Sequence, residues 1–161
     1  MTPFWLAEMI VHHLQPTGRM LEPCAGRGAF VKALSEFGDV EWCEIDLGRD
    51  FFAWSEPVDW IITNPPWSQF RRFLEHSLRL AHDVALMATV NHWWTRQRCA
   101  MLTRSGFGYR RLLLFDAPMD FPPTGFQLGM MHVSRGYEGA LDIEFLPSQR
   151  AQMDLCDAAR P

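Results

Sequence analysis

Residues 58–67 read Val-Asp-Trp-Ile-Ile-Thr-Asn-Pro-Pro-Trp, and the fold turns on how this stretch is read. Val58 to Thr63 is rich in β-branched and aromatic side chains and predicts a buried strand. Asn64-Pro65-Pro66 ends it abruptly, because consecutive prolines remove backbone donors and cannot continue a central ladder. Ser68 then offers an N-cap. Phe70, Phe73, Leu74, Leu78 and Ala81 follow on one face, with Arg72, Glu75 and Arg79 on the other, which predicts an amphipathic helix.

The same alternation extends in both directions. Toward the N-terminus, Thr2 and Pro3 read as N-cap and first helical position of a helix bearing Leu6, Met9, Ile10 and Leu14. Arg19 to Pro23 is a short strand, and a glycine turn leads to a helix with Phe30, Leu34 and Phe37 that stops at Gly38. Val40 to Ile45 is a second strand. Toward the C-terminus, Val84 to Val90 is a strand, Thr95 to Ser105 a helix closed by Gly106, and Arg110 to Phe115 and Gln127 to Ser134 are two late strands. This order predicts an α/β three-layer sandwich, its sheet mostly parallel with an antiparallel strand at the end. Residues 1–146 form one domain in this reading, and 147–161 a polar C-terminal tail.

Composition narrows the partners. The 161 residues suit one domain, and a 48% hydrophobic content supplies a core. A net charge of -4 argues against a protein that coats nucleic acid by bulk electrostatics, so any such contact must be local. Local cations exist at Arg71 and Arg72, at Arg96 and Arg98, at Arg104, and at Arg110 and Arg111. No apolar run approaches the roughly 20 residues of a membrane helix, and the expected location is cytoplasmic. Cys24, Cys43, Cys99 and Cys156 lack CxxC spacing and read as reduced thiols. His12, His13, His76, His82 and His132 lack paired ligand spacing, so no metal site is expected.

In a mainly parallel sheet, ligands sit at the carboxyl ends of strands where strand order reverses. The first strand ends in Glu22-Pro23-Cys24-Ala25-Gly26-Arg27-Gly28, whose glycines let a backbone approach a ligand closely. Tight strand-to-helix turns also use glycine for geometry alone. The second strand ends in Glu44-Ile45-Asp46, a carboxylate position suited to ribose hydroxyls, and Asp50-Phe51 offers an acceptor and an apolar surface for an adenine ring. Asn64-Pro65-Pro66-Trp67 is the most specific of these features. An amine conjugated to a planar ring is a poor nucleophile, and two acceptors aimed at its hydrogens, the Asn64 oxygen and the Pro65 carbonyl, favour its pyramidal, reactive form. Trp67 can stack on the flat group, as an extruded or single-stranded base requires. The structural alternative is a rigid strand-ending turn with a buried tryptophan.

At these residues the chain resembles the class I S-adenosylmethionine-dependent amino-methyltransferases, in particular the adenine-N6 methyltransferases with an (Asp/Asn/Ser)-Pro-Pro-(Tyr/Phe/Trp) signature. The resemblance implies a Rossmann-like fold, S-adenosylmethionine as cofactor, and adenine N6 in nucleic acid as substrate, DNA favoured over RNA. It implies that Thr2, Phe4 and Trp5 approach the cofactor's methionine end. Glu22, Pro23, Cys24, Ala25, Gly26 and Gly28 form the cofactor loop, Glu44, Ile45 and Asp46 the ribose position, and Asp50 and Phe51 the adenine contact. Asn64, Pro65, Pro66 and Trp67 are the implied catalytic tetrapeptide, with Asn64 also bordering the cofactor. A further aromatic, Phe121 in preference to Phe126, is implied to sandwich the target base.

His92, Trp93 and Arg96 are candidate substrate contacts from Asn91-His92-Trp93-Trp94, although adjacent tryptophans commonly divide between core and interface. Two departures stand out. Only Leu47, Gly48 and Arg49 separate Asp46 from Asp50, where the family has a helix leading to another strand, so the sheet is expected to lack an element there. No separate target-recognition domain is expected within these 161 residues, which leaves Asn91–Arg98 and Asp116–Phe126 as the candidate recognition loops. The sequence also leaves open a homodimer, an RNA adenine or guanine amine or a glutamine side-chain amide as substrate, and a non-catalytic binding module.

Overall fold

A computed structural model of the chain describes residues 1–118, 121 and 125–147. Seven strands form one sheet, in the order β2-β1-β3-β4-β6-β5-β7. The strands are β1 (Met20–Glu22), β2 (Val40–Trp42), β3 (Val58–Thr63), β4 (Ala81–Thr89), β5 (Phe107–Phe115), β6 (Leu128–Arg135) and β7 (Asp142–Phe145). All pairings are parallel except those of β6, which runs antiparallel to both β4 and β5. The helices are α1 (Phe4–Leu14), α2 (Ala29–Leu34), α3 (Phe70–Leu80) and α4 (Arg96–Arg104).

Period-two alternation along the central strands sorts the core into two faces. Trp60 and Ile62 of β3 and Ala85 and Met87 of β4 pack with Leu6, Ile10, Phe30 and Leu34 of α1 and α2. Ile61, Val84 and Leu86 pack instead with Phe70, Leu74, Met101 and Leu102 of α3 and α4. The result is the expected three-layer α/β sandwich with helices on both faces. β2 is the sheet edge. Beyond it the chain makes only two 3-10 turns, Ile45–Leu47 and Phe51–Ala53, before entering β3, so the element anticipated as missing is indeed absent there.

Three local readings need correction. Thr2 does not cap α1: Pro3 occupies that position and its carbonyl accepts from Ala7 N, while the Thr2 hydroxyl is engaged elsewhere. Ser68 does not cap α3, because Pro66 O accepts from Gln69 N and closes a 3-10 turn over Trp67–Gln69, delaying the helix to Phe70. β7, which pairs parallel with β5, was not anticipated. The tail from residue 148 onward lies outside the described residues, as do residues 119–120 and 122–124 of the loop proposed for recognition. Among the described residues no helix is long and apolar enough to cross a membrane.

Candidate active site

β1 lies between β2 and β3 in the sheet. From β1 the chain crosses through α2 to one side, and from β3 it crosses through α3 to the other, so strand order reverses between them. The loops leaving β1 and β3 therefore open apart at their carboxyl ends and leave a crevice. A cavity of about 700 Å³ fills it.

The glycine turn forms one wall. Gly26 and Gly28 hold φ of +51° and +81°, a left-handed region that side chains resist. Gly28 N donates to Ala25 O at 2.7 Å, closing the turn before α2. Glu44 ties this turn to the end of β2: one carboxylate oxygen accepts from Gly26 N at 2.7 Å and the other from Asp46 N at 3.2 Å. Each oxygen keeps a second lone pair, so capacity for two hydroxyl donors remains. Asp50 behaves similarly, accepting from Phe52 N at 2.9 Å with one oxygen.

Glu22 ends β1 at 1% exposure and accepts from Cys24 N at 2.8 Å. Burial pushes its carboxyl up to about 8, against the opposing pull of Thr63 and of the Cys24 N–H. A neutral carboxylic acid therefore sits in the cavity wall at neutral pH. Burial, with Glu22 beside it, pushes the Cys24 thiol up to about 12, so it is no nucleophile.

The opposite wall is the turn after β3. Asn64 Nδ2 donates to Thr2 Oγ1 at 3.1 Å, which fixes the amide. Pro65 is buried, Asn64 and Trp67 are half-buried, and all line the cavity together with Pro66. Phe51, 2% exposed, stacks on Phe73 with ring centroids 5.3 Å apart. Beside it Phe52 lies under the Arg72 guanidinium, 4.0 Å from ring centroid to Cζ.

The cavity thus gathers Thr2, Glu22, Pro23, Cys24, Ala25, Gly26, Glu44, Ile45, Asp50, Phe51, Asn64, Pro65, Pro66, Trp67 and Phe121. It does not include Phe4, Trp5, Gly28 or Asp46. Phe4 lies under the Lys32 ammonium, Trp5 packs on the α1–α2 core, and Asp46 is exposed. Trp93 is wholly buried, edge-on to Phe70 at 5.1 Å, so it belongs to the core and cannot stack on a substrate. Arg96 is exposed at the start of α4 and lines neither this cavity nor the one discussed below. Phe52 and Gln69 line the cavity without having been singled out in the sequence, and Arg72 and Phe73, read there as a local cation and an apolar helix position, line it as well. The Phe51-Phe52 repeat and the first turn of the helix after the Pro-Pro turn were the available signals.

Comparison of the backbone with solved structures places this arrangement. A protein of Pyrococcus horikoshii proposed to be an RNA methyltransferase superimposes with a TM-score of 0.60 at 16% identity, over 83% of this chain and 81% of that one. The chain has the class I methyltransferase fold. A protein of Listeria monocytogenes assigned to the class I S-adenosylmethionine-dependent methyltransferases gives 0.61 at 13% identity, covering 98% of this chain and 70% of that one. The M protein of the type I restriction enzyme EcoKI gives 0.60 at 12% identity over 86% of this chain, which spans only 44% of that protein. No family model matches the sequence, and no curated protein matches it.

Proposed function

We propose that the chain transfers the methyl group of S-adenosylmethionine to the exocyclic N6 amine of adenine in nucleic acid, with DNA preferred to RNA. The observation that carries this reading is the single cavity joining the Asn64-Pro65-Pro66-Trp67 turn to the Gly26 loop. In this reading Glu44 accepts ribose hydroxyls, Asp50 and Phe51 border the adenine ring, and the Gly26 turn faces the methionine portion. The cofactor, when bound, supplies an activated methyl on a sulfonium; alignment falls to the protein.

Asn64 and Pro65 contribute two acceptors on a stiff turn. The Thr2 hydroxyl occupies the Asn64 Nδ2 group, which leaves Oδ1 for the amine. With its hydrogens held by Oδ1 and the Pro65 carbonyl, the nitrogen directs its lone pair at the methyl carbon. A sulfonium cofactor held by the glycine turn and Glu44 would supply the methyl group as its carbon–sulfur bond broke, and the amine would give up one proton to solvent. Because the carbonyls are already in place, little reorganisation is required as positive charge develops.

The experiment is methyl labelling. Tritiated cofactor with unmethylated DNA, RNA and protein pools is expected to label adenine in DNA most strongly. Label confined to RNA moves the substrate to an RNA amine, and label confined to glutamine overturns the nucleic-acid reading. No label in any pool, with cofactor still bound, marks a non-catalytic module.

A further inference from the structure

Trp67 also lines a second cavity, of about 420 Å³, with Thr89, Asn91, His92, Arg98 and Phe126. That volume is in the lower part of the roughly 300–1,000 Å³ typical of small-ligand sites and suits one flat heterocycle. Two aromatic side chains, Trp67 and Phe126, accompany four polar ones. The Asn64-Pro65 turn recognises two hydrogens on a planar nitrogen and nothing of what carries them. A glutamine amide and an adenine amine look alike to it. The second cavity is where the carrier would be told apart.

His92 is held there from several sides. It ends a 3-10 turn, Val90–His92, that follows β4, and its Nδ1 lies 2.7 Å from Thr89 Oγ1. The ring sits 5.9 Å from the Trp67 ring and 5.4 Å from that of Phe70. Arg98 donates to the His92 carbonyl and lies over Phe70, 5.2 Å from ring centroid to Cζ, so the turn is pinned from α4 as well. Burial, with Arg98 nearby, lowers the pKa of His92, and the ring is neutral at neutral pH. Thr89 engages one ring nitrogen. Nε2 has no hydrogen-bond partner among the described residues and belongs to a side chain that lines the cavity.

We infer that the second cavity receives the heteroaromatic ring that bears the amine, and that His92 Nε2 hydrogen-bonds a ring nitrogen of it, selecting a purine over a carboxamide. This rests on the methyl-transfer reading above and adds to it a residue that reads the substrate. Phe126 rather than Phe121 then faces the ring together with Trp67, since Phe121 lines the first cavity and not the second. A site built to bond a substrate nitrogen rejects a ligand lacking it, because the bound ligand shields the partner from water and leaves it unpaired.

The test uses the full chain, labelled cofactor, and single-stranded oligonucleotides carrying one adenine or analogues that lack one ring nitrogen at a time. For the wild type, kcat/KM is expected to fall about tenfold or more on one analogue only. His92→Ala loses a similar factor on adenine and nothing further on that analogue, while cofactor affinity stays at the wild-type value. Thr89→Val, which frees the ring without removing it, gives a smaller loss with the same analogue pattern. An undiminished His92→Ala rate, or equal losses on every analogue, overturns the assignment of His92 alone. Failure of the wild type to label any oligonucleotide overturns the adenine reading and this inference with it.

Discussion

Glu22→Gln separates a buried neutral acid from a buried carboxylate. The native side chain is 1% exposed, and its carboxyl is pushed from 4.5 up to about 8. Between those values the folded protein keeps a proton that the unfolded chain has lost, so stability declines as pH rises through the window and levels off above about 8. Each pH unit inside the window costs about 1.4 kcal/mol, tapering as the native carboxyl starts to ionise; from about pH 6 to about pH 8 the loss is therefore roughly 2 kcal/mol. Glutamine keeps the shape and can still accept the Cys24 N–H, but carries no titrating proton. Urea denaturation of both proteins at pH 6 and pH 8 isolates this group, because histidine contributions cancel in the difference between them. The variant is expected to gain on the wild type by about 2 kcal/mol across that interval. Parallel pH profiles for the two proteins would refute the argument that Glu22 is held neutral. The same carboxyl lines the cavity, so a cationic ligand arriving there draws it toward ionisation, and calorimetry in buffers of different ionisation enthalpy should show proton release on cofactor binding.

Other perturbations address separate parts of the structure. Asp83 lies at the opposite end of the sheet, bonded to His132 at 2.7 Å and His82 at 2.8 Å. Burial raises its carboxyl, but hydrogen bonds from His132, Ser134 and His82 prevail and hold it at about 2. That stabilisation is present above the unfolded value of 3.8 and is lost as pH falls through 2. Asp83→Asn should cost about 2 kcal/mol near neutral pH and flatten the acid limb of a denaturation profile. Thr2→Val frees the Asn64 amide and should lower kcat about tenfold with cofactor Kd unchanged, Thr2→Ser restoring the rate; a change in Kd alone would contradict a positioning role. Trp67→Ala should reduce methyl transfer about a hundredfold, and Trp67→Phe much less, in the same labelling assay.

Much of this architecture was readable because local and global signals agree. The strand over Val58–Thr63 was legible to the residue, since five strand-forming side chains, interrupted only by Asp59, run into Asn64 and two prolines. α4 was legible from Thr95, whose hydroxyl does accept from Arg98 N, and from Gly106 beyond its end. β7 was not legible: Ile143 and Phe145 are 55% and 72% exposed, and only pairing with Arg111 to Leu114 makes the segment a strand. The Thr2 hydroxyl was assigned to a cap because a Thr-Pro pair carries that signal locally, whereas its partner is 62 residues away. Trp93 and Trp94 show the same limit. Composition gives two adjacent indoles, but only packing decides that Trp93 is at 0% exposure while Trp94 lies on Tyr109 at 45%. For the site, the chain order of the glycine turn, Glu44, Asp50 and Asn64 was visible, but which of Phe4, Trp5, Gly28 and Asp46 reach the cavity depended on tertiary placement.

The most direct measurement pairs methyl transfer with cofactor binding in Asn64→Ala. Loss of the Oδ1 acceptor should abolish labelling of adenine, while titration calorimetry shows S-adenosylmethionine bound within about threefold of wild type, since the glycine turn and Glu44 are untouched. Labelling at the wild-type rate by this variant would contradict the claim that the Asn64-Pro65 turn presents the amine to the methyl group.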